Sequence, residues 1–182
     1  MICLLYIESG ELKGRKIELV PNANTRYTPG KVRLALVSML DLKGKKVLEL
    51  CAGSGVVGFE FLSNGASNVF FVDVSIRSIK TIEKNAKNLN VKDNIKVIKK
   101  DARIFLKSAK EKFDIVFMDP PFNLGIVNEL LNFVGNVLKE DSILIVEHSK
   151  KEKLTPPDYL EVLSSKKYGD VLIDLFKLKN IL

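Results

Sequence analysis

Short apolar runs bounded by turn residues alternate with longer stretches of helical period through most of this chain. That alternation predicts an α/β fold, a three-layer sandwich with right-handed crossovers. Residues 3–7 and 16–20, around Gly10 and Gly14, predict a small hairpin or extended arm. Residues 21–29 are loop-like, and Pro29 suits the first turn of a helix capped by Thr28, with Val32, Leu36, Met39 and Leu40 as its apolar face. Strands are expected at 47–50, 69–72, 95–98, 114–118 and 142–147, and helices from Phe59 to Gly65 and at 76–89, 102–109 and 126–138. Beyond a break at Pro156-Pro157, residues 159–162 and 171–178 read as a closing pair of strands joined around Tyr168-Gly169-Asp170. Residues 1–40 then form an appendage to a main domain at 41–182.

Composition narrows this picture. At 182 residues and 46% hydrophobic, the chain is long enough for one well-buried core and short for two. A net charge of +7 and a pI near 9.3 favour a polyanionic partner. Cys3 and Cys51 lie far apart with no CxxC spacing, which argues against a disulfide framework or a zinc site and fits a reducing cytosol. The opening MICLLYIES has no basic lead and is too short for export or membrane spanning, so a soluble cytoplasmic protein is expected. Between Pro21 and Leu40 there is no carboxylate, whereas Arg26, Lys31 and Arg33 are all present. They form either a solvated helix face or a phosphate-contacting one.

The candidate chemistry sits where strands end. The strand at 114–118 stops at Asp119-Pro120-Pro121-Phe122, a stiff rim carrying one carboxylate, free carbonyls and one aromatic ring. These groups suit a planar base with an exocyclic amine: Asp119 and the Pro120 carbonyl accept its hydrogens, and Phe122 stacks on the ring. A strand end with Asp119 capping the next helix is the plainer alternative. The strand at 47–50 runs into Cys51-Ala52-Gly53-Ser54-Gly55-Val56-Val57-Gly58, a glycine turn leading into a helix, as in nucleotide-binding units. Asp73 ends the next strand, where a carboxylate takes both hydroxyls of a ribose. Asp101, with small Ala102 beside it, either accepts from an adenine amine or caps a helix. Nicotinamide dinucleotide and S-adenosylmethionine both use such a turn. Glu49 at the strand tip repels a pyrophosphate and favours the cationic methionine portion of S-adenosylmethionine. His148, the only histidine, has no cluster around it and reads as an ordinary residue. Glu147 ends a strand at the same rim, where it either faces the ligand or serves as a cap or as the ion-pair partner of a neighbouring lysine.

VLELCAGSGVVGFEFLSNGA, FVDVS, KDARIF, VFMDPPF and ILIVEHS, in this order and spacing, resemble the class I S-adenosylmethionine-dependent methyltransferases. More narrowly they resemble the bacterial 16S ribosomal RNA guanine-N2 methyltransferase family of the small subunit. GELKGRKIELVP and TRYTPGKVRLALVSML resemble that family's amino-terminal segment, so the similarity runs from Gly10 to Leu178. Tyr27, Val37-Ser38 and Asn64 depart from the family pattern. The resemblance implies a seven-stranded, mostly parallel sheet with a reversed last strand. It implies cofactor binding by Glu49, Ala52, Gly53, Ser54, Gly55, Asp73, Val74, Asp101 and Ala102, with Asp119, Pro120, Pro121 and Phe122 holding the target guanine and no metal. Arg26, Lys31 and Arg33 then grip phosphates of 16S rRNA, in the small ribosomal subunit or its assembly intermediate, and a monomer is the default expectation. Two other readings share these residues: an adenine-amino DNA methyltransferase, and a non-catalytic RNA-binding module on the same fold.

Overall fold

Successive residues of the central strands point to opposite faces, and both faces are apolar, so the sheet must be covered on both sides. Val47, Phe71, Phe117 and Ile145 pack into one core, and Leu48, Val72, Val116 and Leu144 into another. The computed structural model describes residues 4–180. In chain order the elements are β1 (Leu5–Tyr6), β2 (Lys16–Ile17), α1 (Gly30–Met39), β3 (Lys46–Leu50), α2 (Val56–Ser63), β4 (Asn68–Asp73), α3 (Ile76–Leu89), β5 (Ile95–Lys99), α4 (Ala102–Ser108), β6 (Phe113–Met118), α5 (Ile126–Phe133), β7 (Leu138–Ser149), β8 (Leu160–Tyr168) and β9 (Val171–Leu178). Seven strands form one sheet in the order β5-β4-β3-β6-β7-β9-β8, and β1 pairs with β2 alone. β3 to β7 are parallel, and β9 runs antiparallel to both neighbours. Helices α1, α2 and α3 cover one face, and α4 and α5 the other. The expected three-layer sandwich with a reversed last strand is therefore the architecture found.

Several boundaries differ from expectation for physical reasons. The helix expected over 126–138 stops at Phe133 and tightens into a 3₁₀ turn at Val134–Val137, where Gly135 packs against the Tyr159 ring. β7 starts early because Leu138 already pairs with Phe113 across an irregularity in register. β8 runs on to Tyr168 through Ser164-Ser165-Lys166-Lys167, a polar run that reads as a loop. It lies at the sheet edge, where exposed lysines discourage further pairing and no apolar alternation is needed. Thr28 does not cap α1: Pro29 occupies the cap position, and the Thr28 hydroxyl donates instead to Glu147 Oε2 at 2.6 Å. Cys3 lies outside the described residues. His148 is buried on β7, and its Nε2 lies 2.7 Å from Asp174 Oδ2 of β9, so it joins two strands.

Arg33 needs correction as a phosphate contact. It is 1% exposed, and its Nε donates to Glu60 Oε1 at 3.1 Å in the middle of α2. Its other nitrogens donate to the carbonyls of Thr28 and Tyr6, each at 2.6 Å. Glu60, fully buried, also accepts from the backbone amides of Glu8 and Ser9. One buried ion pair thus ties α1, α2, the β1 arm and the loop before α1 together. Leu5, Ile7, Ile17, Val32 and Leu36 share a core with β3, β4 and β6. The amino-terminal segment is therefore packed as part of the main body.

Candidate active site

In an open parallel sheet the ligand crevice lies beyond the carboxyl ends of the strands. The register here sets those ends level: Leu50 pairs with Val72 and with Met118, and Met118 with Val146. Asp73, Asp119 and Glu147 each follow one of these paired residues, and Cys51 begins the glycine turn beside them. A cavity of about 530 Å³ opens there, lined by Glu49, Ala52, Gly53, Ser54, Asp73, Asp119, Pro120, Pro121 and Phe122, with Arg26 and Thr28 from the loop before α1. A neighbouring cavity of about 230 Å³ is lined by Val74, Asp101 and Ala102, and shares Cys51, Asp73 and Pro121 with the first. Residues spread over most of the sequence thus meet in one crevice. Lys31 is exposed on the first turn of α1 and lines neither cavity.

The glycine turn is held by side chains on the adjoining strands. The Gly53 amide donates to Asp73 Oδ2 at 2.9 Å, and the Ser75 amide to Asp73 Oδ1 at 2.8 Å, so the carboxylate is aimed between the two cavities. Gly55, at φ 80°, occupies the cap position before α2, and a Cβ there would fall 2.8 Å from the Phe59 ring. At Gly58 a Cβ would lie 2.4 Å from Phe71, so only glycine lets α2 sit this close to the sheet. The Gly58 amide donates to Glu49 Oε2 at 2.8 Å. Burial, opposed in part by that bond, holds the Glu49 carboxyl well above its ordinary pKa. Burial likewise pushes the Cys51 thiol up to about 12, which makes it a poor nucleophile. Asp101 caps α4 and accepts from the Arg103 amide and guanidinium, chiefly through the side-chain bond, which holds its pKa at about 2. Sequence alone left the cap and the adenine contact as alternatives; the cap is present, and Asp101 also lines the smaller cavity.

Three carboxylates, Glu49, Asp73 and Asp119, line the larger cavity. A pyrophosphate would be repelled there, whereas a sulfonium and an ammonium are attracted. Ser54 Oγ is completely buried without a partner, and Asp73 lines both cavities, where its carboxylate can accept hydroxyl hydrogens. The residues present therefore fit S-adenosylmethionine. Among the described residues no group of three or more His, Cys, Asp and Glu is placed to hold a metal ion.

Arg26 is not turned outward to meet a phosphate. Its Nη2 donates to Asp119 Oδ1 at 2.5 Å, its Nη1 donates to Glu147 Oε1, and its guanidinium carbon lies 4.0 Å from the centre of the Phe122 ring. Glu147 is 1% exposed and is an ion-pair partner as expected, but of Arg26 rather than of a neighbouring lysine; both of its partners lie more than a hundred residues away and were not legible in the sequence. Burial and the neighbouring Glu147 carboxylate raise the Asp119 pKa well above the ordinary range, and Arg26 opposes them.

The model of the family described as conserved hypothetical protein 95 matches residues 5–177. The chain belongs to that family. One family relative, ribosomal RNA small subunit methyltransferase D of Buchnera aphidicola subsp. Acyrthosiphon pisum, is 34% identical over 158 residues, covering 84% of this chain and 82% of its own. The protein of the same name from Escherichia coli K12 is 28% identical, covering 95% of this chain and 89% of its own. Among solved structures, yhhF of Escherichia coli, provisionally named a methyltransferase, superposes with a TM-score of 0.87 at 26% identity, covering 97% of this chain and 99% of its own. Family and architecture together identify a class I methyltransferase, whose cofactor is S-adenosylmethionine.

Proposed function

We propose that this protein transfers a methyl group from S-adenosylmethionine to the exocyclic 2-amino group of a guanine in 16S rRNA, acting in the cytoplasm on the small ribosomal subunit or its assembly intermediate. Its relatives are named as small-subunit rRNA methyltransferases, and among the described residues no helix is long and apolar enough to cross a membrane. The observation that carries this reading is the juxtaposition of Asp119-Pro120-Pro121-Phe122 with Gly53 and Asp73 around one cavity.

Bound S-adenosylmethionine supplies a methyl carbon on a sulfonium, and the C–S bond breaks, its electron pair leaving with sulfur, as the N–C bond forms. The glycine turn from Glu49 to Gly55, with Asp73, Val74, Asp101 and Ala102, holds the donor. Phe122 stacks on the flipped-out base, offsetting part of an unstacking cost of a few kcal/mol. Asp119 accepts one hydrogen of the amine and the Pro120 carbonyl accepts the other, which turns the nitrogen lone pair toward the methyl carbon. The proton released as the new bond forms goes to Asp119. Catalysis is then mostly positioning.

The test is transfer of labelled methyl to small subunits lacking the modification, followed by mapping of the labelled nucleotide and its methylated atom. Label on guanine N2, lost in Asp119→Ala, is expected. Label on an adenine amine, or RNA binding without transfer, overturns this reading in favour of an adenine methyltransferase or a binding module.

A further inference from the structure

Arg26 makes three contacts that together describe a guanine. Its guanidinium lies 4.0 Å over the Phe122 ring, gives one nitrogen to Asp119 Oδ1 at 2.5 Å, and gives a second to Glu147 Oε1. In guanine, carbon C2 is bonded to N1, N3 and the exocyclic N2, which is a guanidine built into a ring. Its N1–H and N2–H₂ present two adjacent donors in one plane, as two nitrogens of a guanidinium do. Adenine and cytosine instead set a donor beside an acceptor on that edge, and uracil has a single donor between two acceptors. Two adjacent carboxylates, which only accept when ionised, therefore suit guanine and repel the acceptor of any other base.

Resting on the guanine-N2 reading, we infer that Arg26 fills the seat of the target base in the free protein, and that Glu147 is the residue that selects guanine, by taking its N1–H while Asp119 takes N2–H. Glu147 is rigidly placed for this. It is 1% exposed, and its second oxygen is held by the Thr28 hydroxyl at 2.6 Å, so one oxygen is left to face the seat. Arg26 is the movable member: its side chain is 37% exposed and comes from the loop that lines the cavity. When the base arrives, the guanidinium gives up its place and is free to pair with a phosphate of the same RNA. The seat is thus kept filled by a donor group, so that neither the buried Glu147 nor the half-buried Asp119 is left unpaired before RNA binds.

The experiment separates N1–H from the reacting amine. 2-Aminopurine keeps the amine at C2 but carries a bare acceptor at N1. Small subunits are reconstituted with RNA bearing guanine or 2-aminopurine at the mapped nucleotide, and single-turnover methyl transfer is measured. The wild-type protein is expected to prefer guanine by tenfold or more, because 2-aminopurine sets a lone pair against a buried carboxylate. Glu147→Gln supplies an amide donor to N1, so it is expected to slow transfer to guanine and bring 2-aminopurine to parity or above. Thr28→Val, which leaves the carboxylate in place, is expected to slow both alike. Equal wild-type rates on the two bases overturn the inference, whether or not the variant folds. An equal loss on both bases in Glu147→Gln overturns it too, and leaves Glu147 a support for Arg26 and Thr28. No wild-type transfer to the guanine particle fails the guanine-N2 reading itself, and this inference with it.

Discussion

At the scale of single residues, the site concentrates acidic groups whose ionisation burial opposes. Asp119 is raised by burial first and by Glu147 second, with Arg26 pulling the other way. Only the ionised carboxylate accepts a proton, so kcat/KM is expected to fall on acidification with a midpoint above the ordinary carboxylate range. Arg26→Gln removes the opposing cation and should move that midpoint to higher pH. A pH–rate profile with no upward movement in the variant assigns the acid limb to another group. Glu49 is raised chiefly by burial as well, so the folded protein holds its proton more tightly than the unfolded chain does. Stability from this group therefore falls as pH rises from the ordinary carboxylate range through the folded value, and above that range the group is a net cost. Glu49→Gln keeps an oxygen for the Gly58 amide and should raise the melting temperature at pH 7.5 by ~2–4 °C, about 1 kcal/mol for a chain of this size. The gain should shrink toward pH 4.5, and thermal melts with added S-adenosylmethionine should show a smaller ligand-induced increment than wild type. Asp119-Pro120-Pro121-Phe122 and Gly53 to Gly58 were legible because proline stiffness and glycine freedom act over neighbouring residues. The partners of Arg26, Arg33 and Glu147 were not, because they lie 27 to 121 positions away.

At the scale of elements, the same limit explains which segments were misjudged. Charge along a helix says nothing of burial when an oppositely charged residue waits on another helix, as Glu60 on α2 does for Arg33. Helices such as α3 were plain, since Ile79, Ile82, Ala86 and Leu89 keep one buried face and Ser75 accepts from the Ser78 amide at its start. β8 was shortened because an edge strand needs no apolar alternation, and its lysines resemble loop chemistry. The Arg33–Glu60 pair holds the β1 arm, α1 and the cavity-lining loop through one set of bonds. Arg33→Leu leaves Glu60 as an unpaired buried charge, so a loss of about 3–5 kcal/mol is expected in denaturant unfolding. In hydrogen exchange the amides of Glu8 and Ser9 should lose protection before those of β3 and β6. Equal protection loss throughout would mean that the arm and the sheet open only together.

At the scale of the whole molecule, a net charge of +7 coexists with a crevice walled by carboxylates. Under the proposed function the two are compatible because they face different ligands: the crevice would meet a cationic donor and a neutral base, and the outer surface would meet phosphates. Lys31 is the test of that division. It is exposed on the first turn of α1, directly after the loop whose Arg26 and Thr28 line the crevice, so RNA that presents a base to Phe122 passes close to it. A lysine that neutralises one phosphate contributes about 0.7 to the slope of log affinity against log salt for a single strand and about 0.9 for a duplex. Lys31→Glu removes that contact and adds repulsion. Affinity for small-subunit RNA at low salt should fall severalfold, the salt dependence should flatten by about one phosphate's share, and the difference between variant and wild type should narrow as salt rises. Melting temperature and S-adenosylmethionine binding should stay as in wild type, because the side chain lies outside both cavities. Unchanged affinity and slope would move the RNA path away from α1, to the lysines and arginines on the opposite rim near Lys100 and Arg103, and the approach of the base over the Arg26 loop would have to be redrawn from that side.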